Sequence, residues 1–168
     1  MHTRRRPGPA TSGAGDGDDR LTALYCSERL AMVRLAHLLT GSQATAEDVV
    51  QDAFVRLGPV LDTVDNAGAY LRRTVVNLCT SHHRRHGVEQ RWLARQPPPD
   101  RQLDLPPELD ETWRLLARLS DRQRHALVLR FYLDLRVEDI ADLLGAPVGT
   151  IKSALHRGLA ALSTEVST

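Results

Sequence analysis

Near the C-terminus, "GTIKSALHR" gathers Thr150, Lys152, Ser153, His156 and Arg157 into the opening turns of one helix. Two hydroxyls, an ammonium, an imidazole and a guanidinium are donors suited to base edges and phosphates at a helix N-terminus. Just upstream, "EDIADLLGAPV" supplies the small residue Ala141 for a helix crossing and Gly145 for a turn with positive φ, and Ile151 is a buried anchor beyond the turn. These are the requirements of a helix-turn-helix. The same letters also fit an αα-corner with a solvated polar face, so spacing alone leaves both readings open.

A second basic cluster lies in "AYLRRTVVNLCTSHHRRH", where Leu71, Val75, Leu78 and Cys79 form an apolar face. Arg72, Arg73, Asn77, His82, His83, Arg84 and Arg85 occupy the other side. Arg84 and Arg85 would repel a cation, so a phosphate-facing patch is favoured over a metal site, with a solvated helix end as the alternative. At neutral pH the imidazoles are largely uncharged and the arginines carry the field.

Other chemistries fail on detail. "GAPVGTIKS" approaches the phosphate-binding pattern GxxxxGK[ST], but Ile151 stands where the glycine before the lysine is required, and no strand precedes it. Cys26 and Cys79 form no CxxC pair and read as small buried hydrophobes in a reducing compartment. No HExxH, GxSxG, paired catalytic carboxylates or Gly-rich dinucleotide loop is present, so neither an enzyme, a cofactor nor a bound metal is expected.

The elements that must position these side chains are helices. Hydrophobic residues make up 42% of the 168 residues and aromatics 4%, with no alternating β-branched runs, which predicts an all-α fold. The net charge of +1 decides nothing about a nucleic-acid partner, because the basic residues are clustered. Lys152 is the only lysine. No apolar run approaches the ~20 residues of a membrane helix, and "MHTRRRPGPATSGAGDGDD" lacks the apolar stretch of a signal peptide; a soluble, cytoplasmic protein is expected.

Residues 1–19 hold little to bury and read as a disordered tail. A first helix follows from Leu21, with Leu24, Tyr25, Met32, Leu35, Leu38 and Leu39 at helical spacing. Thr45, followed by Glu47 and Asp48, resembles an N-cap for a second helix ending near Gly58 and Pro59. The basic helix is the third, completing a first domain over 20–93. The proline-rich "ARQPPPDRQLDLPP", within 94–107, reads as a linker; some 15 extended residues reach ~50 Å, or ~15 base pairs. A second small domain over 108–165 should hold four helices: "ELDETWRLLARL", a helix capped by Ser120 and Gln123, and the helix-turn-helix pair. In the last helix Val148, Ile151, Leu155, Leu159 and Leu162 should face inward, and no further domain is expected beyond Leu162.

Taken together, "AEDVVQDAFVRL", the basic helix, the proline-rich linker and "EDIADLLGAPVGTIKSALHRGLAAL" resemble the extracytoplasmic-function (ECF) sigma factors of the sigma-70 family. The resemblance spans roughly residues 21–165. It implies a transcription initiation factor without chemistry of its own, which binds core RNA polymerase (the β′ clamp and the β flap) and recognises minus-10 and minus-35 promoter DNA. An anti-sigma factor is a further partner found in the family.

By that resemblance, Asp48, Val49, Gln51, Asp52, Phe54 and Val55 would face the clamp, with Val49, Phe54 and Val55 alternatively part of the core. Asn66, Tyr70, Arg72, Arg73, Asn77, Arg84 and Arg85 would hold the melted minus-10 strand, and Thr150, Lys152, Ser153, His156 and Arg157 the minus-35 duplex. Ala154 and His156 depart from the family's usual basic and aromatic residues, which marks them as positions where base preference would differ. Arg136 stands where a Ser or Thr cap is common. A stand-alone helix-turn-helix regulator and a helical adaptor that does not bind DNA are the alternative functions.

Overall fold

The computed structural model of the chain describes residues 14–86 and 106–166, with side chains over 17–82, 106–109 and 111–163. Every regular element among them is helical. The first half holds α1 (Ala14–Thr40), α2 (Gln43–Leu57), a 3-10 turn (Gly58–Val60) and α3 (Ala67–His86). The second holds α4 (Pro107–Leu116), α5 (Asp121–Leu127), a π-helical turn (Val128–Tyr132), α6 (Val137–Leu144) and α7 (Val148–Val166).

In the first half the three helices pack around Leu35, Leu39, Val50, Leu57, Leu71, Val75, Val76 and Cys79, all fully buried. Each such aliphatic side chain stabilises the fold by about 1.5–3 kcal/mol relative to exposure. α1 stops at Gly41, whose φ of +75° lies in the left-handed region and whose N–H bonds to His37 O at 2.7 Å. The cap of α2 is Ser42, not Thr45: its hydroxyl accepts from Thr45 N at 3.2 Å. Glu47 and Asp48 therefore lie beyond the first turn, and Glu47 instead accepts from Gln43 Nε2 at 2.9 Å. Asn66 starts α3, its Oδ1 accepting from Ala69 N at 2.9 Å.

Helix α1 begins at Ala14, so residues 14–19, expected in the tail, continue the helix that carries Leu21 and Leu24. Of the expected linker, residues 94–105 lie outside the described residues, and its last residue, Pro107, opens α4. The Ser120–Gln123 capping box forms in both directions, at 3.0 and 3.4 Å. Arg136 precedes α6 without a side-chain cap bond. Gly145 closes α6 at φ 60°, where its N–H reaches Asp142 O and the next amide, Ala146 N, reaches Ala141 O at 2.9 Å. That pair of bonds is a Schellman closure, which needs the left-handed residue glycine provides most cheaply.

In α7, Ile151 and Ala154 are buried, but Leu159 is 46% exposed and leaves the expected inward stripe. Gly158 takes part in the packing instead: a Cβ there would come within 2.9 Å of Leu127 Cδ1, so α5 and α7 cross closely at the glycine.

The two halves touch. α1 packs against α4, α5 and the π-helical turn, and α3 packs against α6. At the centre of this seam Arg124, 4% exposed, donates from Nε to Leu39 O at 3.2 Å, a carbonyl in the last turn of α1. Its Nη2 pairs with Asp121 Oδ1 at 2.6 Å, and its guanidinium lies 5.0 Å from the Trp113 ring centre. Burial pushes the Arg124 pKa down from the ordinary arginine value, and the Asp121 carboxylate opposes that shift.

Candidate nucleic-acid interface

The helix-turn-helix presents α7 outward. Lys152, Ser153, His156 and Arg157 are exposed and Thr150 is half-buried, so the five residues singled out by spacing share the open side of the helix. Gly149 has open space where a Cβ would stand. Arg157 Nε is held within its own helix by Ser153 O at 3.3 Å. The first half of α7 thus carries two cationic side chains, Lys152 and Arg157, on its open side. Ala154 does not belong to it: at 2% exposure it packs into the domain core and is unable to set base preference.

On α3, Arg73 and Asn77 are exposed and Tyr70 and Arg72 half-buried. Asn66, at the head of the helix, has its side-chain oxygen engaged by Ala69. Arg84 and Arg85 extend the α3 backbone, but their side chains lie outside the described residues. A cleft of about 650 Å³ separates part of this surface from the second half. Tyr70, Arg72 and Arg73 line one wall; Tyr132, Asp139 and Asp142 line the other. Burial raises the Tyr132 pKa, and the Arg34 charge pulls it back down.

The third surface is on α2. Val49 and Phe54, which the resemblance left open between a partner and the core, are 8% and 6% exposed and pack in the core, where the Phe54 ring meets Tyr25 edge-on at 4.9 Å. Residues three to four apart on a helix share a face, and for Val49, Val50, Ala53, Phe54 and Leu57 that face is inward. What α2 offers outward is Asp48, Gln51, the half-buried Asp52 and Val55, the last 67% exposed. Asp52 is gripped by Arg56 through two bonds of 3.1 and 3.0 Å.

Among the described residues no group of His, Cys, Asp and Glu is arranged to hold a metal, and no helix is long and apolar enough to cross a membrane. His83 and His86 of the histidine cluster have side chains outside the described residues. Cys26 is exposed while Cys79 is buried, its thiol pushed up to about 12 by burial. Trp113, Arg124, Asp139 and Asp142 escaped sequence reasoning; their only signal was an arginine set beside the apolar run "HALVL", which reads equally as a solvated face.

Comparison with known proteins gives the family of the chain. The family described as "Sigma-70 region 2" matches residues 24–88, and "Sigma-70, region 4" matches residues 109–162. The RNA polymerase sigma-E factor of Streptomyces coelicolor is 32% identical over 141 residues, covering 81% of this chain and 80% of that one. The ECF RNA polymerase sigma factor SigL of Mycobacterium tuberculosis is 31% identical over 165 residues, covering 90% and 92%. Among solved structures, the sigma factor RpoE of Bartonella quintana, crystallised with the anti-sigma factor NepR, superposes with a TM-score of 0.63 at 26% identity, covering 91% of this chain and 98% of that one. With both regions matched in order, the chain belongs to the sigma-70 family as an ECF sigma factor, a transcription initiation factor that directs RNA polymerase to promoters.

Proposed function

We propose that the chain divides promoter recognition between its halves, with residues 20–93 binding core polymerase and the melted minus-10 strand and residues 108–165 reading the minus-35 duplex. The observation that carries this division is the open cationic end of α7, where Lys152, Ser153, His156 and Arg157 stand exposed beyond the Schellman turn. Thr150 flanks them. On α3, Tyr70 supplies a ring for base stacking, worth about 1–3 kcal/mol per base, while Arg72 and Arg73 meet the backbone and Asn77 a base edge. Arg84 and Arg85 extend that basic track.

Asp48, Gln51, Asp52 and Val55 form the polymerase-facing side of α2. The factor itself performs no chemistry, polymerase supplies catalysis, and the site of action is the cytoplasm. An anti-sigma factor is a further partner, by analogy with the relative crystallised with one. Specificity arises because two tethered sites raise each other's effective concentration.

Promoter-specific run-off transcription tests the reading. Core polymerase with the purified chain should initiate at discrete promoters in DNA from the source genome. Core alone should not, and identical transcripts from both would refute the proposal.

A further inference from the structure

Of the 22 Lys and Arg residues in the chain, one is a lysine, Lys152, and it stands exposed on the open side of α7. A guanidinium stays protonated and is no nucleophile, so Lys152 Nζ is the only side-chain amine in the sequence that can take an acyl group. That amine is unencumbered. α7 holds no carboxylate before Glu165, and among the described residues no acid pairs with Lys152. Its neighbours on the open side, Ser153, His156 and Arg157, add hydrogen-bond donors and a second cation, and Arg157 is steadied by its bond to Ser153 O at 3.3 Å. A small reagent that carries a phosphate group meets on this face the same chemistry as a phosphate of the DNA backbone.

We propose that Lys152 is an acylation site modified by small acyl phosphates, and that its acylation weakens the hold of α7 on duplex DNA. The proposal rests on the reading of α7 as the duplex-facing helix. Arg157 and Lys152 attract the phosphate of the reagent, which brings its acyl carbon to the amine. The neutral form of Nζ attacks that carbon. A C–N bond forms as the bond from the carbon to the bridging oxygen breaks, inorganic phosphate leaves with the bonding electron pair, and the departing phosphate takes up the proton released by the nitrogen. A neutral amide then stands where an ammonium stood. Losing one neutralised phosphate lowers the log–log salt slope by about 0.9, which at ~0.1 M salt is roughly eightfold in affinity. Duplex and reagent compete for one face, so bound DNA shields the amine and the modification falls on chains that are off DNA.

The test treats the full chain and its Lys152→Arg variant with acetyl phosphate. Peptide mass spectrometry locates the acetyl groups, and fluorescence anisotropy with a labelled mixed-sequence duplex follows binding at several salt concentrations. Wild type should gain an acetyl group on Lys152, and its duplex affinity should fall roughly eightfold at ~0.1 M salt with a slope shallower by about 0.9. Lys152→Arg, whatever its starting affinity, should bind equally before and after treatment. Excess duplex added ahead of the reagent should slow the modification several-fold. Lys152 left unmodified, an unchanged slope after full modification, or no protection by duplex would overturn the proposal. An untreated chain that binds no duplex would overturn the reading of α7 itself, and the proposal with it.

Discussion

Trp113 lies so close over Gly41 that a Cβ built on the glycine would fall 1.8 Å from Trp113 Cζ2. One residue thus meets two demands, a left-handed backbone at the end of α1 and room for an indole from the other half. Gly41→Ala should destabilise the chain by more than the ~1–2 kcal/mol that a side chain costs in left-handed backbone. In a Trp113→Ala background only that backbone cost should remain. Urea denaturation of the four proteins gives the coupling, and equal destabilisation in both backgrounds would mean that the ring yields freely.

Arg124 should matter through its buried end. Arg124→Met removes the bond to Leu39 O, and a hydrogen bond from a charged group contributes about 1.5–3 kcal/mol. Asp121→Asn should cost less, since an amide oxygen can still accept from Arg124 Nη2 and that side chain is itself more than half exposed. Denaturant midpoints for the two variants check the order.

Several of these elements were legible in the letters because their determinants are local. The leucines of α1, the Ser120–Gln123 box and the glycine stop at Gly145 each act within a few residues. Val49 and Phe54 were not: an apolar residue within a partner-binding motif serves the core or the partner depending on a rotation that spacing does not reveal. The seam was least legible. Leu39 and Arg124 stand 85 positions apart, and nothing near either one signals the other.

The α2 surface separates stability from assembly. Phe54→Ala should cost about 3–5 kcal/mol by emptying core volume. Val55→Glu should stay within about 0.5 kcal/mol of wild type while reducing co-elution with core polymerase on gel filtration. A Val55→Glu chain that assembles normally would remove this residue from the interface.

On α7, replacing Lys152 and Arg157 together by Ala should lower the salt dependence of duplex binding by about two in log–log slope, near 0.9 for each phosphate that is no longer neutralised. Ala154→Arg should instead unfold the domain rather than alter sequence preference, because the position is buried. Binding isotherms at several salt concentrations and a thermal melt distinguish the two outcomes.

The two thiols should differ in reactivity. Cys26 is exposed and should alkylate in the native protein at pH 8, whereas Cys79 should react only after unfolding. Folding raises the Cys79 pKa from 9.0 to about 12, so the native state keeps a proton that the unfolded chain releases. That contribution to stability is complete below pH 9 and declines as pH rises toward about 12. Mass spectrometry after iodoacetamide treatment, with and without urea, tests the assignment.

The turn that ends α1 also constrains how the halves can be recombined. Since Leu39 and Gly41 receive Arg124 and Trp113 from the second half, a hybrid that borrows its second half from a relative inherits a mismatched joint unless residues 37–41 are exchanged with it. Transplanting promoter specificity between family members therefore calls for a cut that follows this joint, not one placed only in the intervening segment.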